Sequence, residues 1–222
     1  MIYLVRHGQS EWNLLRRTQG QIPHPPLTDL GQRQAFAAAQ AISADAKLNG
    51  QAVRSVIASD LVRAVQTARI VAGTLAVPIH LDGRWREQCL GRLEGQGYEE
   101  TDAELAGTRA GPDAPIGGGE SARQVAERVA AALDDLDPTE VAVVVTHGDT
   151  IRCLLAHVTG IAAAFDVSNP VPNGAVVALD GRRGCRIRPL EGPSAGWRLK
   201  HRRDRAAFAP TALIDARSTR PG

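Results

Sequence analysis

VAVVVTHGD, residues 141–149, runs six apolar or β-branched residues into a histidine, a glycine and an aspartate. A continuous run without polar alternation reads as a central parallel strand, buried on both faces. The start of the chain follows the same plan. Ile2–Val5 reads as a short buried strand, and it ends in Arg6-His7-Gly8. In open parallel α/β sheets, ligands bind beyond the carboxyl ends of the strands. One histidine at a strand end is more often structural than catalytic. Two strands that each end in His-Gly point to a shared site.

The rest of the chain alternates strands with helices. Thr28 is a candidate N-cap for a helix over 30–43, where Leu30, Ala35, Ala38, Ala39 and Ile42 follow helical spacing. Val53–Ala58 reads as a strand, and Ser59 as the cap of a helix through about Ala72. VPIHL, at 77–81, is a third short strand, with Pro78 at an edge or start. Helices are expected over 121–136 and 150–158, and late strands over 173–179, 185–190 and 197–199. Residues 13–27 read as a loop, because GQIPHPPL, at 20–27, packs three prolines into eight positions. Residues 83–118 are irregular, with a short helical candidate near 98–105. This alternation gives an α/β class with a mostly parallel sheet. Neither an internal repeat nor a linker interrupts it. A single domain is expected over 1–200, followed by a polar tail at 201–222.

At 222 residues the chain is long enough for one sizeable core. A net charge of +2 and an aromatic content of 4% do not favour a nucleic-acid partner. KHRRDR, at 200–205, reads as solvated charge rather than a nucleic-acid arm. No apolar run approaches the ~20 residues of a membrane span, so no membrane partner is expected. The N-terminus lacks the basic-then-apolar pattern of a signal peptide. Cys89, Cys153 and Cys185 are odd in number and widely spaced. They fit reduced thiols in a cytoplasmic protein better than a disulfide framework or a Cys-x-x-Cys site.

The chemistry of the strand ends favours an anion. Glycines after each histidine permit close approach of backbone to ligand. Gly148 opens a helix whose free N–H groups and dipole attract negative charge. Arg6 offers a guanidinium suited to bidentate phosphate contact. Arg63 lies in the first turn of the helix after a strand that ends at the same crevice. A catalytic zinc usually takes three protein ligands, often with a His pair at helical spacing, and the sequence offers no such set.

VRHGQSEWN (5–13), SDLVRAVQTA (59–68), REQCLGRLEG (86–95), GES (119–121) and VTHGDTIRCLL (145–155) occur in this order. Together they resemble the motifs of the histidine phosphatase superfamily, the phosphoglycerate mutase-like proteins, over roughly residues 2–180. The resemblance implies a three-layer αβα sandwich around a mostly parallel central sheet, with a lid insertion at about 96–118. It implies His7 as the nucleophile, with Arg6, Arg63 and His147 around the phosphoryl oxygens. Glu87 is the implied proton donor, selected by Gly91 four residues on and Gly95 eight on; Glu94 is the alternative carboxylate. Ser10, Asn13, Gln19, Gly20 and Gly148 are the implied substrate-binding residues. No metal or other cofactor is implied, because arginine and histidine supply the positive charge.

The superfamily contains mutases, phosphatases and members that bind without efficient turnover. A mutase must hold a second anion and keep water from the phosphohistidine. Residues 96–118 carry Arg109 as their sole cation, against Glu99, Glu100, Asp102, Glu104 and Asp113. Gly107, Gly111 and the glycines at 117–119 suggest a mobile, open lid that admits water. The expected function is a metal-independent phosphomonoesterase of the histidine acid phosphatase type. Its partner is a small-molecule phosphomonoester: a sugar phosphate, a phosphoglycerate or a biosynthetic intermediate. The alternatives are a cofactor-dependent phosphoglycerate mutase and a non-catalytic phosphate-binding or regulatory protein. The segment from Gly181 departs from the family pattern and is a candidate homodimer interface.

Overall fold

β1 (Ile2–Arg6) pairs in parallel with β4 (Val141–Thr146) on one side and antiparallel with β5 (Val176–Asp180) on the other. β2 (Val53–Ala58) and β3 (Ile79–Leu81) extend the parallel part beyond β4, and β6 (Arg186–Pro189) closes the opposite edge. The sheet order is β3-β2-β4-β1-β5-β6. This computed structural model describes residues 1–107, 111–160, 170–180 and 186–190. The expected strand at 197–199 and the tail at 201–222 lie outside the described residues.

Side-chain alternation divides the central strands between two cores. Ile2, Leu4, Ala142 and Val144 pack with Val125 and Val129 of α5 (Ala122–Asp134) and with Ile151 and Leu154 of α6 (Gly148–Thr159). Tyr3, Val5, Val143 and Val145 pack with Ala38 and Ile42 of α2 (Asp29–Leu48) and with Ala68 and Val71 of α3 (Val62–Leu75). The result is the expected three-layer αβα sandwich. Alanine at many sheet-facing positions of α2 and α3 leaves little side chain between helix and sheet.

Local sequence explains most element ends. Thr28 caps α2 by accepting the Gly31 N–H. The helix runs past the expected end at 43 because Ala46 continues its buried stripe. Ser121 and Gln124 form a capping box at α5. Ser10 and Asn13 form another, and it opens a single-turn helix, α1 (Glu11–Leu14), at the edge of the expected loop. The irregular stretch contains two 3₁₀ turns, Gly83–Trp85 and Gly91–Leu93, and then α4 (Tyr98–Gly107). Ser59 does not cap α3 as expected: Leu61 occupies the N-cap position, without a side-chain cap bond.

Gly8 and Gly31 stand back to back. A Cβ on Gly8 would lie 2.1 Å from the Gly31 carbonyl oxygen, and a Cβ on Gly31 would lie 2.1 Å from the Gln9 carbonyl oxygen. Gly8 therefore serves the approach of α2 to the loop after β1, rather than the approach of a ligand. The obstructing atoms are backbone, and the Gln9 carbonyl is already held by the Thr28 N–H at 2.9 Å. We predict that Gly31→Ala lowers stability by about 1–3 kcal/mol, the usual cost of overpacking. Gly73→Ala is the control, because nothing lies within 4 Å of its added Cβ at this exposed position near the C-terminal end of α3. That variant should gain about 0.5–1 kcal/mol from helix propensity. Urea denaturation midpoints of the two variants should move in opposite directions.

Candidate active site

Strand register brings the two His-Gly ends together. Arg6 pairs with Thr146 across β1 and β4, and the His7 N–H donates to the Thr146 carbonyl at 2.9 Å. The two imidazoles, one residue further on, stand 5.1 Å apart between centroids and 61° apart in plane. Ser59 follows β2 in the same way, with its N–H donating to Val145 at 3.0 Å. Three neighbouring parallel strands thus deliver Ser59, His147 and His7 in a row. A cleft of about 510 Å³ opens at this end of the sheet, lined by Arg6, His7, Arg63, Glu87, Gly148 and others. His147 and Ser10, both fully buried, sit behind its lining.

Hydrogen bonds fix what each imidazole presents. His7 Nδ1 lies 2.7 Å from the Gly8 carbonyl. A carbonyl can only accept, so Nδ1 carries the proton and the lone pair is on Nε2. Burial, reinforced by the charges of Arg63 and Arg6, holds the His7 pKa well below the ordinary imidazole value. His7 is therefore a neutral imidazole with a free nucleophilic nitrogen. His147 is also held neutral, by burial first and then by Arg63, His7 and Arg6. Its Nε2 lies 2.8 Å from Ser59 Oγ. The Leu61 N–H donates to that same oxygen at 3.3 Å, and among the described residues the Ser59 hydroxyl proton has no acceptor other than Nε2, so Ser59 donates to it. This places the His147 proton on Nδ1, a buried atom without a partner.

The guanidiniums of Arg63 and Arg6 share this condition. Arg63 is fully buried, and its Nη atoms donate to the carbonyls of Ile22 at 2.9 Å and Gly20 at 2.8 Å. Its Nε has no partner. Arg6 Nη1 donates to the Val171 carbonyl, and its Nε is likewise buried and unpartnered. Burial lowers both pKa values, that of Arg63 to about 10. Both remain charged at neutral pH. A buried donor left unsatisfied costs roughly 1–3 kcal/mol, and more when charged. Arg6 Nε, Arg63 Nε and His147 Nδ1 are unsatisfied donors on residues that lie around His7, and an oxyanion bound among them would satisfy them.

Glu87 occupies the start of α6. Its Oε1 accepts from the backbone N–H of Gln88 at 3.0 Å and Thr150 at 3.1 Å, and its Oε2 accepts from Asp149 at 3.3 Å. The helix N-terminus that the sequence offered to a ligand is therefore engaged by Glu87. Burial, then the Asp149 carboxylate, raises the Glu87 pKa against the lowering effects of the Gln88 N–H, Arg6 and Arg63. Asp149 itself lines the cleft and pairs with Arg152. Glu94, the alternative carboxylate, accepts from the Gln21 N–H at 2.9 Å and the Leu90 N–H at 3.0 Å. It ties two loops together and is absent from the cleft lining.

Asn13, Gln19 and Gly20 line the cleft. Ser10 Oγ lies 2.8 Å from Gln19 Oε1 and 3.0 Å from Asn13 Oδ1, so Ser10 organises the two amides. Gly20 has a φ of +47°, and a Cβ there would lie 2.2 Å from Glu94 Oε1. The glycines at 117 and 119 do not behave as a hinge. A Cβ on Gly117 would lie 2.2 Å from the Leu90 carbonyl, and one on Gly119 would lie 2.1 Å from the Cys89 carbonyl. These two glycines seal one loop against another, so the expected mobile lid loses that part of its basis.

Residues 2–188 match the histidine phosphatase superfamily (branch 1). The chain belongs to this superfamily. A probable phosphoglycerate mutase from Yersinia pestis (strain Pestoides F) is 36% identical over 223 residues, covering 96% of each chain. Among solved structures, a mycobacterial glucosyl-3-phosphoglycerate phosphatase in complex with VO3 is similar with a TM-score of 0.72 at 29% identity. That likeness covers 85% of this chain and 96% of the other. A mutant phosphoserine phosphatase from Entamoeba histolytica, in complex with phosphoserine, has a TM-score of 0.69 at 26% identity, covering 87% and 96%. Superfamily and neighbours together support a phosphoryl-transfer enzyme.

The structure adds residues that the motif reading passed over. Thr67 Oγ1 accepts the Gly8 N–H at 3.1 Å, and Asn173 donates to the His7 carbonyl at 3.1 Å. Tyr98 reaches the cleft from α4 and accepts from Asn13 at 3.2 Å. Thr67 was available inside the SDLVRAVQTA motif; Asn173 had no local signal. The Ser59 contact generates a test. Ser59→Ala leaves His147 free to place its proton on Nε2 and turn a lone pair toward the anion. Calorimetric titration with inorganic phosphate, run well below the unfolding midpoint, should show binding weakened about tenfold, equivalent to ~1.4 kcal/mol, beside a stability loss of about 1–3 kcal/mol from the orphaned Leu61 N–H.

Proposed function

We propose that this protein is a metal-independent phosphomonoesterase that acts on a small-molecule phosphate through a phosphohistidine on His7. The observation that carries the reading is the convergence of a neutral His7 with three buried, unpartnered donors on Arg6, Arg63 and His147. Phosphoryl transfer spreads charge over three equatorial oxygens, and prepaid donors at those oxygens are its main catalytic need. In the first step, His7 Nε2 bonds to phosphorus as the bond to the leaving oxygen breaks. The Glu87 carboxyl gives that oxygen its proton. In the second step, water attacks phosphorus and passes a proton to the Glu87 carboxylate. The bond to Nε2 breaks, and phosphate leaves. Asn13, Gln19, Gly20 and Gly148 complete the substrate contacts, with Ser10 behind them.

Hydrolysis is favoured over mutase chemistry by the charge of the remaining cleft. Among the described residues lining it, the only cation besides Arg6 and Arg63 is Arg152, which pairs with Asp149, and Asp102 adds a further carboxylate. A second phosphate or carboxylate on the substrate finds little there to hold it. The name carried by the Yersinia relative favours the mutase, so both activities belong in one experiment. A panel of alkyl and aryl phosphomonoesters in EDTA, run beside 3-phosphoglycerate mutase activity, separates them. Wild type should release phosphate, and His7→Ala should lose at least ~10³-fold, the scale of losing a covalent nucleophile. Mutase turnover without phosphate release would replace this reading, and inhibition by EDTA would end its metal-free form.

The pH dependence follows from burial. The low His7 pKa keeps the nucleophile neutral down to acidic pH, so activity rises as pH climbs through that low value. The raised Glu87 pKa keeps its proton to higher pH, so activity falls as pH climbs through that raised value. Alkyl esters, whose leaving groups need a proton, should show a bell displaced to acidic pH. Glu87→Gln should remove its alkaline limb and leave the acid limb in place.

A further inference from the structure

Glu87 sits on a stretch without helix or strand pairing of its own, and one arginine satisfies much of its backbone. Arg128 Nη1, from α5, donates to the carbonyls of Arg84 at 2.7 Å and Arg86 at 2.9 Å. Its Nη2 donates to the Glu87 carbonyl at 2.9 Å. Glu120 grips the same guanidinium, accepting from Nε at 2.7 Å on Oε1 and from Nη2 at 2.9 Å on Oε2. Glu120 Oε2 also accepts the Cys89 N–H at 2.8 Å, and the Glu120 carbonyl accepts from Gln88 Nε2 at 2.7 Å. Gln21 Nε2 closes the set, donating to the Glu87 carbonyl at 3.0 Å and to Glu120 Oε2 at 3.3 Å.

All five donors of the Arg128 guanidinium plane are directed at this stretch and at Glu120. The platform is rigid, because Val125 and Val129 on either side of Arg128 in α5 are fully buried. Arg128 does not line the cleft and touches no reacting atom. Its influence on the Glu87 carboxyl runs through the backbone from which that side chain springs. A carboxyl displaced by an ångström is a poor proton donor to a leaving oxygen. We propose that Arg128, oriented by Glu120, is a positioning residue that sets the Glu87 carboxyl for proton transfer. This inference rests on the reading of Glu87 as the acid.

The test compares the best alkyl phosphomonoester of the panel with p-nitrophenyl phosphate, whose leaving group needs little protonation. Arg128→Met should lower kcat on the alkyl ester by about 10²-fold, the low end of a general-acid contribution. On p-nitrophenyl phosphate the loss should stay within about threefold, with KM little changed on either ester. Arg128→Lys keeps the charge beside Glu120 but loses the planar fork, so it should show the same bias at reduced size. In a Glu87→Gln background, Arg128→Met should add almost nothing, because both changes act on one step. Equal losses on the two esters, or full additivity with Glu87→Gln, would overturn the proposal. Should Arg128→Met fail to fold, the lysine variant decides between the same outcomes by the same criteria. A Glu87→Gln variant without leaving-group bias would remove the acid role itself, and this inference with it.

Discussion

The parallel, in-register pairing of β1 with β4 is the constraint on which the site depends. Arg6 opposes Thr146, so the residues that follow them are imidazoles side by side. A slip of one residue would exchange the faces of β1, sending Ile2 and Leu4 toward the α2–α3 core and Tyr3 and Val5 toward the α5–α6 core. Those two cores differ in shape. The α2–α3 side is built largely from alanine, and the α5–α6 side from larger aliphatic residues. Hydrophobic packing through the whole thickness of the sandwich therefore sets the separation of two histidines at its end.

The site so formed is electrostatically incomplete. Arg6 and Arg63 are desolvated, and the main carboxylate near them, Glu87, is held by N–H groups at the start of α6. Ordinary cores do not leave guanidinium Nε and imidazole Nδ1 groups buried without acceptors. Here such groups lie together, and the structure sustains their cost from the packing behind them. The same burial keeps both imidazoles neutral and lifts the Glu87 pKa. The protonation states of His7, His147 and Glu87, and the lowered pKa values of Arg6 and Arg63, thus share one first physical cause, the removal of water from the carboxyl ends of three strands.

How much of this was legible in the sequence differs by scale. The described strands and both His-Gly ends were readable, because hydrophobic runs are local signals, and the layer order came with the family resemblance. Ser59 was misread for the same reason. A serine after a strand looks like a helix cap, and only the neighbouring β4 shows that its hydroxyl belongs to His147. The glycines at 117 and 119 looked like flexibility, but a close approach to backbone roughly 30 residues away in sequence leaves the same mark as a hinge. Arg128 left no mark at all. It is one arginine on an amphipathic helix, and its partners are carbonyl oxygens, which every residue has.

The relatives and structural neighbours carry different names, probable mutase and phosphatase. The phosphoryl pocket is built by strand ends and the first residues beyond them, and these follow from the fold. The remainder of the cleft is built by α4, by Thr18, Gln19 and Gly20 of the loop after α1 and by residues near Pro170, which the sheet does not position. Mutase and phosphatase differ in that remainder, in whether a second anion is gripped and water held off. Asp102 and the Asp149–Arg152 pair give this cleft little net positive charge beyond the phosphoryl pocket. A phosphohistidine formed at His7 would then face a cleft with weak hold on an anionic acceptor. Water, present at far higher concentration than any such acceptor, is the competitor that this arrangement favours.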